Sequence, residues 1–269
     1  MREFRVDSQP FRLCAGLLAR SARLNVDNSV EMVEKSASGN QLPTLVTGSQ
    51  ALGVFAKQPC AGRVKTRLCP PLTFEQAAAF YDVCLEETLL RLQQAAWPVV
   101  LFFDGDPDWF ARRFPALIRL PQGSGDLGER MERALETLLQ AGARSAALVG
   151  TDSPDLPLEL VGQAMEALEE HDAVTIPADD GGYVLVGWSR PCPQMFEDIP
   201  WSSDQVLDLT RRRAAGAGLR YREVGAWYDL DDGAALAALL TRSPEGRAAR
   251  HLRGCLDGVL PVSGCGSAR

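Results

Sequence analysis

Histidine is nearly absent from this 269-residue sequence, which contains only His171 and His251. A zinc site built from several histidines is therefore excluded, and a Ser-His-Asp or Cys-His catalytic group would need one of these two residues. His171 lies at the polar end of a predicted helix and His251 in an arginine-rich segment. We therefore expect neither to act in catalysis.

Net positive charge and long apolar segments are also lacking. Lys and Arg number 28 against 35 Asp and Glu, which gives a formal net charge of -7 and a pI near 5.0. An acidic chain of this kind is a poor nonspecific ligand for nucleic acid or for anionic membranes. No run of about 18 apolar residues occurs, so the sequence predicts no membrane span.

The seven cysteines form no C-x-x-C motif and no closely spaced pair. Their odd number and irregular spacing indicate reduced thiols, which are typical of a cytoplasmic protein. An apolar run at 13–19 faintly resembles a signal peptide, but it is barely long enough and Arg20 ends it. We therefore expect a cytoplasmic protein in which residues 1–44 form a flexible extension.

From about Leu45 the sequence alternates short β-rich apolar runs with longer helical segments, which is typical of a parallel or mixed α/β sheet. The predicted strands are 51–56, 98–103, 145–150, 173–176, 183–188 and 219–224, and the predicted helices are 73–96, 130–140, 158–170, 203–215 and 232–240. No repeat or internal linker interrupts this pattern. We predict one domain over residues 45–242, followed by a C-terminal tail at 243–269.

Four cationic side chains follow the first predicted strand within eleven residues, namely Lys57, Arg63, Lys65 and Arg67. Ligands of open α/β sheets bind at the carboxyl ends of the strands, so this loop is well placed to hold phosphates. Gly62 would let the backbone approach them closely. A solvated basic loop is the alternative, but such clustering is unusual in an acidic chain.

Carboxylates follow two other predicted strands. Asp152 is the second residue after the strand at 145–150, and Asp229 and Asp231 follow the strand at 219–224. Mg²⁺ prefers one or two carboxylates together with phosphate oxygens. We predict that Asp152 binds a metal ion with Asp229 or Asp231 as the second ligand. The alternative is that these residues serve as turn or helix-capping residues.

A glycine-containing turn, with Asp180 followed by Gly181 and Gly182, precedes Tyr183 between two predicted strands. Asp-Gly is a common hairpin turn, so a structural role is one interpretation. The other is that Asp180 and Tyr183 orient an acceptor and that the glycines give it room.

The segment from Gly123 to Gly128 fits G-x-G-x-x-G, which in a strand-turn-helix unit indicates dinucleotide binding. Residues 119–122 look like a poor buried strand, and Asp126 would place negative charge beside a pyrophosphate. We therefore disfavour a NAD-dependent oxidoreductase and expect a glycine loop whose amides face a base or ribose.

Together these segments resemble the DUF2064 family, whose members are described as GT-A-fold glycosyltransferase-like or arsenosugar-biosynthesis-type transferases. The resemblance runs through residues 54–68, 125–131, 150–156, 180–187, 201–202 and 228–231, in the order of the family's motifs. More distantly, the chain is similar to MobA-like and phospholactate guanylyltransferase nucleotidyltransferases.

The resemblance implies a Rossmann-like GT-A fold with a mixed, mostly parallel sheet, a nucleotide at the strand ends, and Mg²⁺ or Mn²⁺ on Asp152 and Asp231. The chain departs from the related nucleotidyltransferases after Asp231, where Asp232 and Gly233 replace the usual Thr-Pro. The expected nucleotide and phosphate contacts are Lys57, Gly62, Arg63, Lys65, Arg67, Gly125 and Asp126. The expected acceptor contacts are Asp180, Gly181, Gly182, Tyr183 and Trp201.

We expect a metal-dependent transferase that moves a glycosyl group from a nucleotide sugar to a small-molecule acceptor, with Lys65, Asp152 and Asp180 as catalytic residues. Transfer of a nucleotidyl group from a nucleoside triphosphate to a phosphorylated acceptor stays open, because the basic loop suits a triphosphate. A noncatalytic nucleotide-binding module is the third possibility.

Overall fold

A computed structural model describes residues 49–257, in which seven strands form one mixed sheet in the order β3-β2-β1-β4-β6-β5-β7. The strands are β1 (Gln50–Lys57), β2 (Val99–Asp104), β3 (Ile118–Pro121), β4 (Ser145–Val149), β5 (Ala173–Pro177), β6 (Tyr183–Trp188) and β7 (Tyr221–Glu223). Strand β6 runs antiparallel to both of its neighbours, β4 and β5, and every other pairing is parallel. The predicted α/β class is confirmed.

Helices cover both faces of the sheet. They are α1 (Phe74–Leu92), α2 (Pro107–Arg113), α3 (Leu127–Gln140), α4 (Leu158–Ala167), α5 (Val206–Gly216), α6 (Gly233–Arg242) and α7 (Arg247–Asp257). Apolar residues of α1, α2 and α4 pack on one face of the sheet, and those of α3 and α5 pack on the other. Because both faces are covered, the central strands are apolar runs rather than alternating sequences.

Helix α7 lies in the segment that the sequence analysis treats as a tail. Its Ala248, Ala249 and Leu252 are fully buried in a third apolar cluster. That cluster also contains Phe80 and Cys84, on the side of α1 that faces away from the sheet. The docking of α7 extends the folded unit to at least residue 257.

The structure also contains two short elements that the sequence analysis did not predict, α2 and β3. Strand β3 occupies residues that we judged a poor buried strand, and it immediately precedes the glycine loop. It is an edge strand paired only with β2. An edge position tolerates Pro121 and the polar Arg119, which a central strand would not.

Asp172, just before β5, connects the ends of three segments. Its buried carboxylate accepts hydrogen bonds from the Arg190 and Arg220 guanidinium groups and from the Arg220 backbone N–H. These bonds hold the pKa of Asp172 well below its usual range.

Among residues 49–257, no helix is long and apolar enough to cross a membrane.

Candidate functional site

A cleft of about 750 Å³ opens at the edge of the sheet where β1 and β4 end and β6 begins. This volume is within the range of sites that bind small molecules and cofactors. Four cationic and five acidic side chains line it, namely Lys57, Arg63, Lys65 and Arg67, and Asp152, Asp180, Asp204, Asp229 and Asp231. The structure therefore brings the predicted basic loop and the predicted carboxylates together in one cavity.

Lys65 is the most buried cation of the cleft, with a side chain only 4% exposed. Its Nζ lies 2.6 Å from Asp152 Oδ1 and 3.1 Å from Asp231 Oδ1, and it donates a hydrogen bond of 2.9 Å to the Leu230 carbonyl. Burial by itself lowers the pKa of Lys65, but the two carboxylates outweigh it and raise that pKa above its ordinary value. Lys65 is thus a cation at neutral pH, and it joins the two predicted metal ligands.

Lys65 has a left-handed backbone conformation, with φ 50° and ψ 36°, immediately before the 3₁₀ turn at Thr66–Leu68. A non-glycine residue in this conformation carries local strain that its surroundings must offset. Here the three bonds of its Nζ hold the side chain in the cleft. The conformation directs the cation toward the carboxylates while Arg67 stays at the surface, 69% exposed and 3.4 Å from Asp231 Oδ2.

Asp180, Asp229 and Asp231 form an acidic cluster in which one carboxylate oxygen of each lies within 4.8 Å of the others. Desolvation and the neighbouring carboxylates of Asp231 and Asp180 raise the pKa of Asp229 to about 6. A divalent cation bound here would offset that repulsion, and carboxylate oxygens are the ligands that Mg²⁺ and Mn²⁺ prefer. The donor set therefore fits the expected metal. Asp180 joins the predicted Asp229 and Asp231, whereas Asp152, the first predicted ligand, is not one of the three.

The loops that carry Asp152 and Asp231 are bonded to one another. The Leu230 N–H donates to the Asp152 carbonyl at 2.9 Å, and Ser153 Oγ donates to the Tyr228 carbonyl at 2.6 Å. The buried Tyr228 hydroxyl also donates to the Asp155 carboxylate. These contacts fix the spacing of carboxylates that are about eighty residues apart in the sequence.

The predicted nucleotide contacts divide into two groups. Lys57, Arg63, Lys65 and Arg67 line the cleft, whereas Gly62, Gly125 and Asp126 are not among its lining residues. Asp126 instead caps helix α3, accepting from the Glu129 N–H while the Glu129 carboxylate accepts from the Asp126 N–H.

The three glycines of the G-x-G-x-x-G segment have structural roles. A Cβ on Gly123 would lie 2.7 Å from the Arg133 guanidinium, one on Gly125 would clash with the Glu129 carboxylate, and one on Gly128 would lie 2.6 Å from the Trp201 ring. Two carboxylates already occupy the N-terminus of α3, so this helix offers no place for a pyrophosphate.

Of the predicted acceptor contacts, Asp180, Gly182, Tyr183 and Trp201 line the cleft. Gly181 does not, since it packs against the backbone of Asp204, which leaves no room for a Cβ. Its φ of +88° also requires glycine. The turn therefore shapes one wall of the cleft, and Asp180 belongs to both the acidic cluster and this wall.

The sequence analysis did not identify two further residues that line the cleft, Tyr81 and Gln122. The Tyr81 hydroxyl accepts from the Lys57 N–H at 2.9 Å and from Thr151 Oγ1 at 2.8 Å, which ties the basic loop to the segment after β4. Burial raises the pKa of Tyr81, so it stays protonated. The second is Gln122, just after β3. Tyr81 fits the apolar face of a helix, and Gln122 follows an unpredicted strand, so neither had a signal of function.

Comparison with solved structures yields a strong match. A protein from Desulfovibrio desulfuricans G20, provisionally described as a nucleotide-diphospho-sugar transferase, is 30% identical, with a TM-score of 0.73 over 79% of this chain and 97% of its own. This description agrees with the expected transferase class. No protein of curated function matches the chain in sequence.

More distant structures match less well. A cytidylyltransferase from Leptospira borgpetersenii is 11% identical over 78% of this chain and 95% of its own, with a TM-score of 0.48. Rv0371c from Mycobacterium tuberculosis H37Rv, solved in complex with manganese, is 18% identical over 72% of this chain and 100% of its own, with a TM-score of 0.45. Likeness at this level carries no argument about activity.

The family model for DUF2064, described as an uncharacterized protein conserved in bacteria, matches residues 88–203. That stretch includes the motifs around Asp126, Asp152, Asp180 and Trp201. The Desulfovibrio relative extends the similarity over nearly its whole length. The chain belongs to the DUF2064 family.

Proposed function

We propose that this protein is a metal-dependent transferase that moves a glycosyl group from a nucleotide sugar to a small-molecule acceptor. The observation that carries the proposal is the acidic cluster of Asp180, Asp229 and Asp231 in the same cleft as the basic loop. A metal-bridged diphosphate needs both kinds of group within reach of one ligand.

The charge of the cleft supports the metal. Its five carboxylates outnumber its four cationic side chains, and Lys65 is already paired with Asp152 and Asp231. A diphosphate entering this cleft would be repelled by the carboxylates unless a further cation lay between them. A divalent ion held by Asp231, with Asp229, Asp180 and Asp152 beside it, would supply that charge.

In this proposal the chain's own residues divide the work. Lys65 and Arg67, with Lys57 and Arg63 beside them, bind the diphosphate and stabilise the charge that it gains as the sugar departs. The bound metal would act as a Lewis acid on the same phosphate oxygens. Asp180 belongs to the acidic cluster and lines the same cleft as Tyr183 and Trp201, where it would orient the acceptor.

The Desulfovibrio relative supports a nucleotide sugar as donor, because it matches over nearly its whole length and is described as such a transferase. A second candidate is nucleotidyl transfer from a nucleoside triphosphate. It is favoured by the four cationic side chains of residues 57–67, because a triphosphate carries more negative charge than a diphosphate and would engage more of them. The five described cysteines are free thiols, consistent with the cytoplasmic location expected from the sequence.

The first experiment is thermal unfolding of the purified protein with nucleoside triphosphates, nucleotide sugars or NADH, each with and without Mg²⁺ or Mn²⁺. A ligand at 100 times its Kd stabilises a protein by about 2.7 kcal/mol. Asp231→Asn should abolish the metal-dependent shift. Asp232→Asn is the matched control, because Asp232 only caps α6 through the Ala235 N–H and asparagine caps equally well.

The two reactions differ in their products. With a mixture of small alcohol and sugar-phosphate acceptors, glycosyl transfer releases a nucleoside diphosphate, whereas nucleotidyl transfer releases pyrophosphate. Binding without either product would indicate a noncatalytic module. If no nucleotide shifts the unfolding temperature in a metal-dependent way, the transferase proposal is refuted. A shift with NADH alone would favour an oxidoreductase.

A further inference from the structure

Gln122, the buried residue between β3 and the glycine loop, has almost all of its hydrogen-bonding groups engaged. Its backbone N–H donates to the Phe103 carbonyl at 2.8 Å, and its own carbonyl accepts from the Arg133 guanidinium at 2.8 Å. Its side-chain Nε2 donates to the Ala56 carbonyl at 3.2 Å and to the Phe102 carbonyl at 3.1 Å. The two amide hydrogens are therefore both used on backbone oxygens.

This arrangement fixes which side-chain atom Gln122 offers to the cleft. Backbone carbonyls only accept hydrogen bonds, so the Nε2 end of the amide must face them and the orientation is determined. Gln122 lines the cleft although it is only 5% exposed. The group that it has left for a ligand is Oε1, an acceptor held in place before any ligand arrives.

Apolar side chains line the same cleft as this acceptor. Phe55, Leu127 and Met131 line the same cleft, and Leu127 is 43% exposed, one of the few large apolar residues at the surface of the described part of the chain. An apolar wall beside one oriented polar atom suits a flat heterocycle whose edge carries a hydrogen-bond donor. Ala56, which Gln122 contacts, directly precedes Lys57 of the basic loop, so the two features adjoin.

We propose that Gln122 determines nucleotide specificity, with its Oε1 accepting a hydrogen bond from an N–H group on the edge of the nucleobase. The inference rests on the proposed function, because it requires a nucleotide in the cleft. The residue that recognises the base then lies at the end of β3. Gly125 and Asp126, which the sequence suggested as nucleotide contacts, do not line the cleft. The glycine loop then serves to hold Gln122, through Arg133, which also donates to the Ser124 carbonyl.

The test compares each nucleotide with an analogue in which the base lacks an N–H donor. The pairs are CTP with pyrimidin-2-one riboside triphosphate, UTP with N3-methyl-UTP, ATP with purine riboside triphosphate, and GTP with inosine triphosphate and N1-methyl-GTP. Binding is measured by calorimetry in the presence of Mn²⁺. The analogue of the nucleotide that binds best should bind about 10-fold more weakly to the wild type, because Oε1 is left without a donor.

Gln122→Met keeps the length of the side chain but removes the acceptor. In this variant the parent nucleotide should bind at most about 2-fold more tightly than its analogue. Gln50→Met is the matched control. The Gln50 side chain also donates from Nε2 to a backbone carbonyl, that of Met165, but it lies at the other end of β1, outside the cleft lining. We expect Gln50→Met to lose stability and to retain wild-type discrimination.

Four results would overturn the inference or its basis, and they are distinguishable. A folded Gln122→Met protein that discriminates like the wild type would show that another group reads the base. Equal binding of parent and analogue to the wild type would do the same. If tripolyphosphate binds with Mn²⁺ as tightly as every nucleoside triphosphate does, the role of Gln122 in base recognition is refuted, whereas the phosphate site is supported. If neither tripolyphosphate nor any nucleotide binds, the proposed function itself fails.

Discussion

Replacing Lys65 by methionine tests whether this cation balances the charge of the cleft before a metal binds. The substitution removes the contacts of Nζ with Asp152 at 2.6 Å and Asp231 at 3.1 Å, and its hydrogen bond to the Leu230 carbonyl. Methionine keeps most of the buried volume, so the effect reports on charge more than on packing. Asp152 then loses its cationic partner, and Asp231 keeps only its 3.4 Å contact with the exposed Arg67.

The expected loss of folding stability in Lys65→Met is moderate because the two carboxylates are partly solvated. Breaking a fully buried ion pair costs about 3–5 kcal/mol. Asp152 and Asp231 are 48% and 38% exposed, however, so water offsets part of that cost. We expect about 2 kcal/mol, which lowers the Tm of a domain of this size by about 4–8 °C.

Metal should reverse this effect. The carboxylates that Lys65 no longer occupies become better ligands, so Mn²⁺ should stabilise Lys65→Met more than it stabilises the wild type. At 100 times its Kd the metal contributes about 2.7 kcal/mol, enough to restore the lost stability. Arg67→Met is the control, because Arg67 is 69% exposed and its 3.4 Å contact with Asp231 contributes little.

The assay is thermal unfolding followed by circular dichroism, in EDTA and across a Mn²⁺ titration. A Lys65→Met protein as stable as the wild type in EDTA would refute the charge-balance argument. Equal stabilisation of both proteins by Mn²⁺ would show that Lys65 does not compete with metal, and that the ion binds elsewhere.

Three further predictions concern positioning, pH and packing. Tyr228→Phe should weaken Mn²⁺ binding several-fold by calorimetry and cost about 1–3 kcal/mol, since the buried Asp155 carboxylate loses its donor; unchanged affinity would show that this contact does not position the acidic loops. The folded-state pKa of Asp172 is depressed, so its stabilisation is present above its unfolded pKa, about 3.9, and is lost as pH falls below that value. The Tm difference between wild type and Asp172→Asn should therefore be largest near neutral pH and shrink below about pH 4; a constant difference would contradict this. Leu252→Ala should lower the free energy of unfolding by about 2–5 kcal/mol, because Leu252 is fully buried against α1. Arg250 is exposed, so Arg250→Ala should change stability little. Similar effects of the two substitutions would argue against the docking of α7.

The sequence determined the central sheet because short apolar runs bounded by turn residues are typical of strands whose two faces are both buried. Five of the seven strands follow from that pattern, the polar edge strand β7 was predicted without it, and five helices follow from capping residues and helical spacing. Strand β3 escaped because it has only four residues at an edge and includes Arg119 and Pro121. Helix α7 escaped because its Arg-rich sequence buries only a narrow stripe, whose partner is a face of α1 that no local pattern reveals.

For the site, the sequence by itself identified the basic loop and the carboxylates after the strands, because charged residues at strand ends are conspicuous in an apolar context. Only the tertiary structure decided how they combine. Asp180 joins Asp229 and Asp231, while Asp152 pairs with Lys65, because the turn after β5 and the segment after β7 end at the same edge of the sheet. Gln122 became a candidate for the same reason, since the partners that orient its amide come from β1 and β2. Side-chain direction depends on contacts between residues far apart in the chain, and no local sequence pattern contains that information.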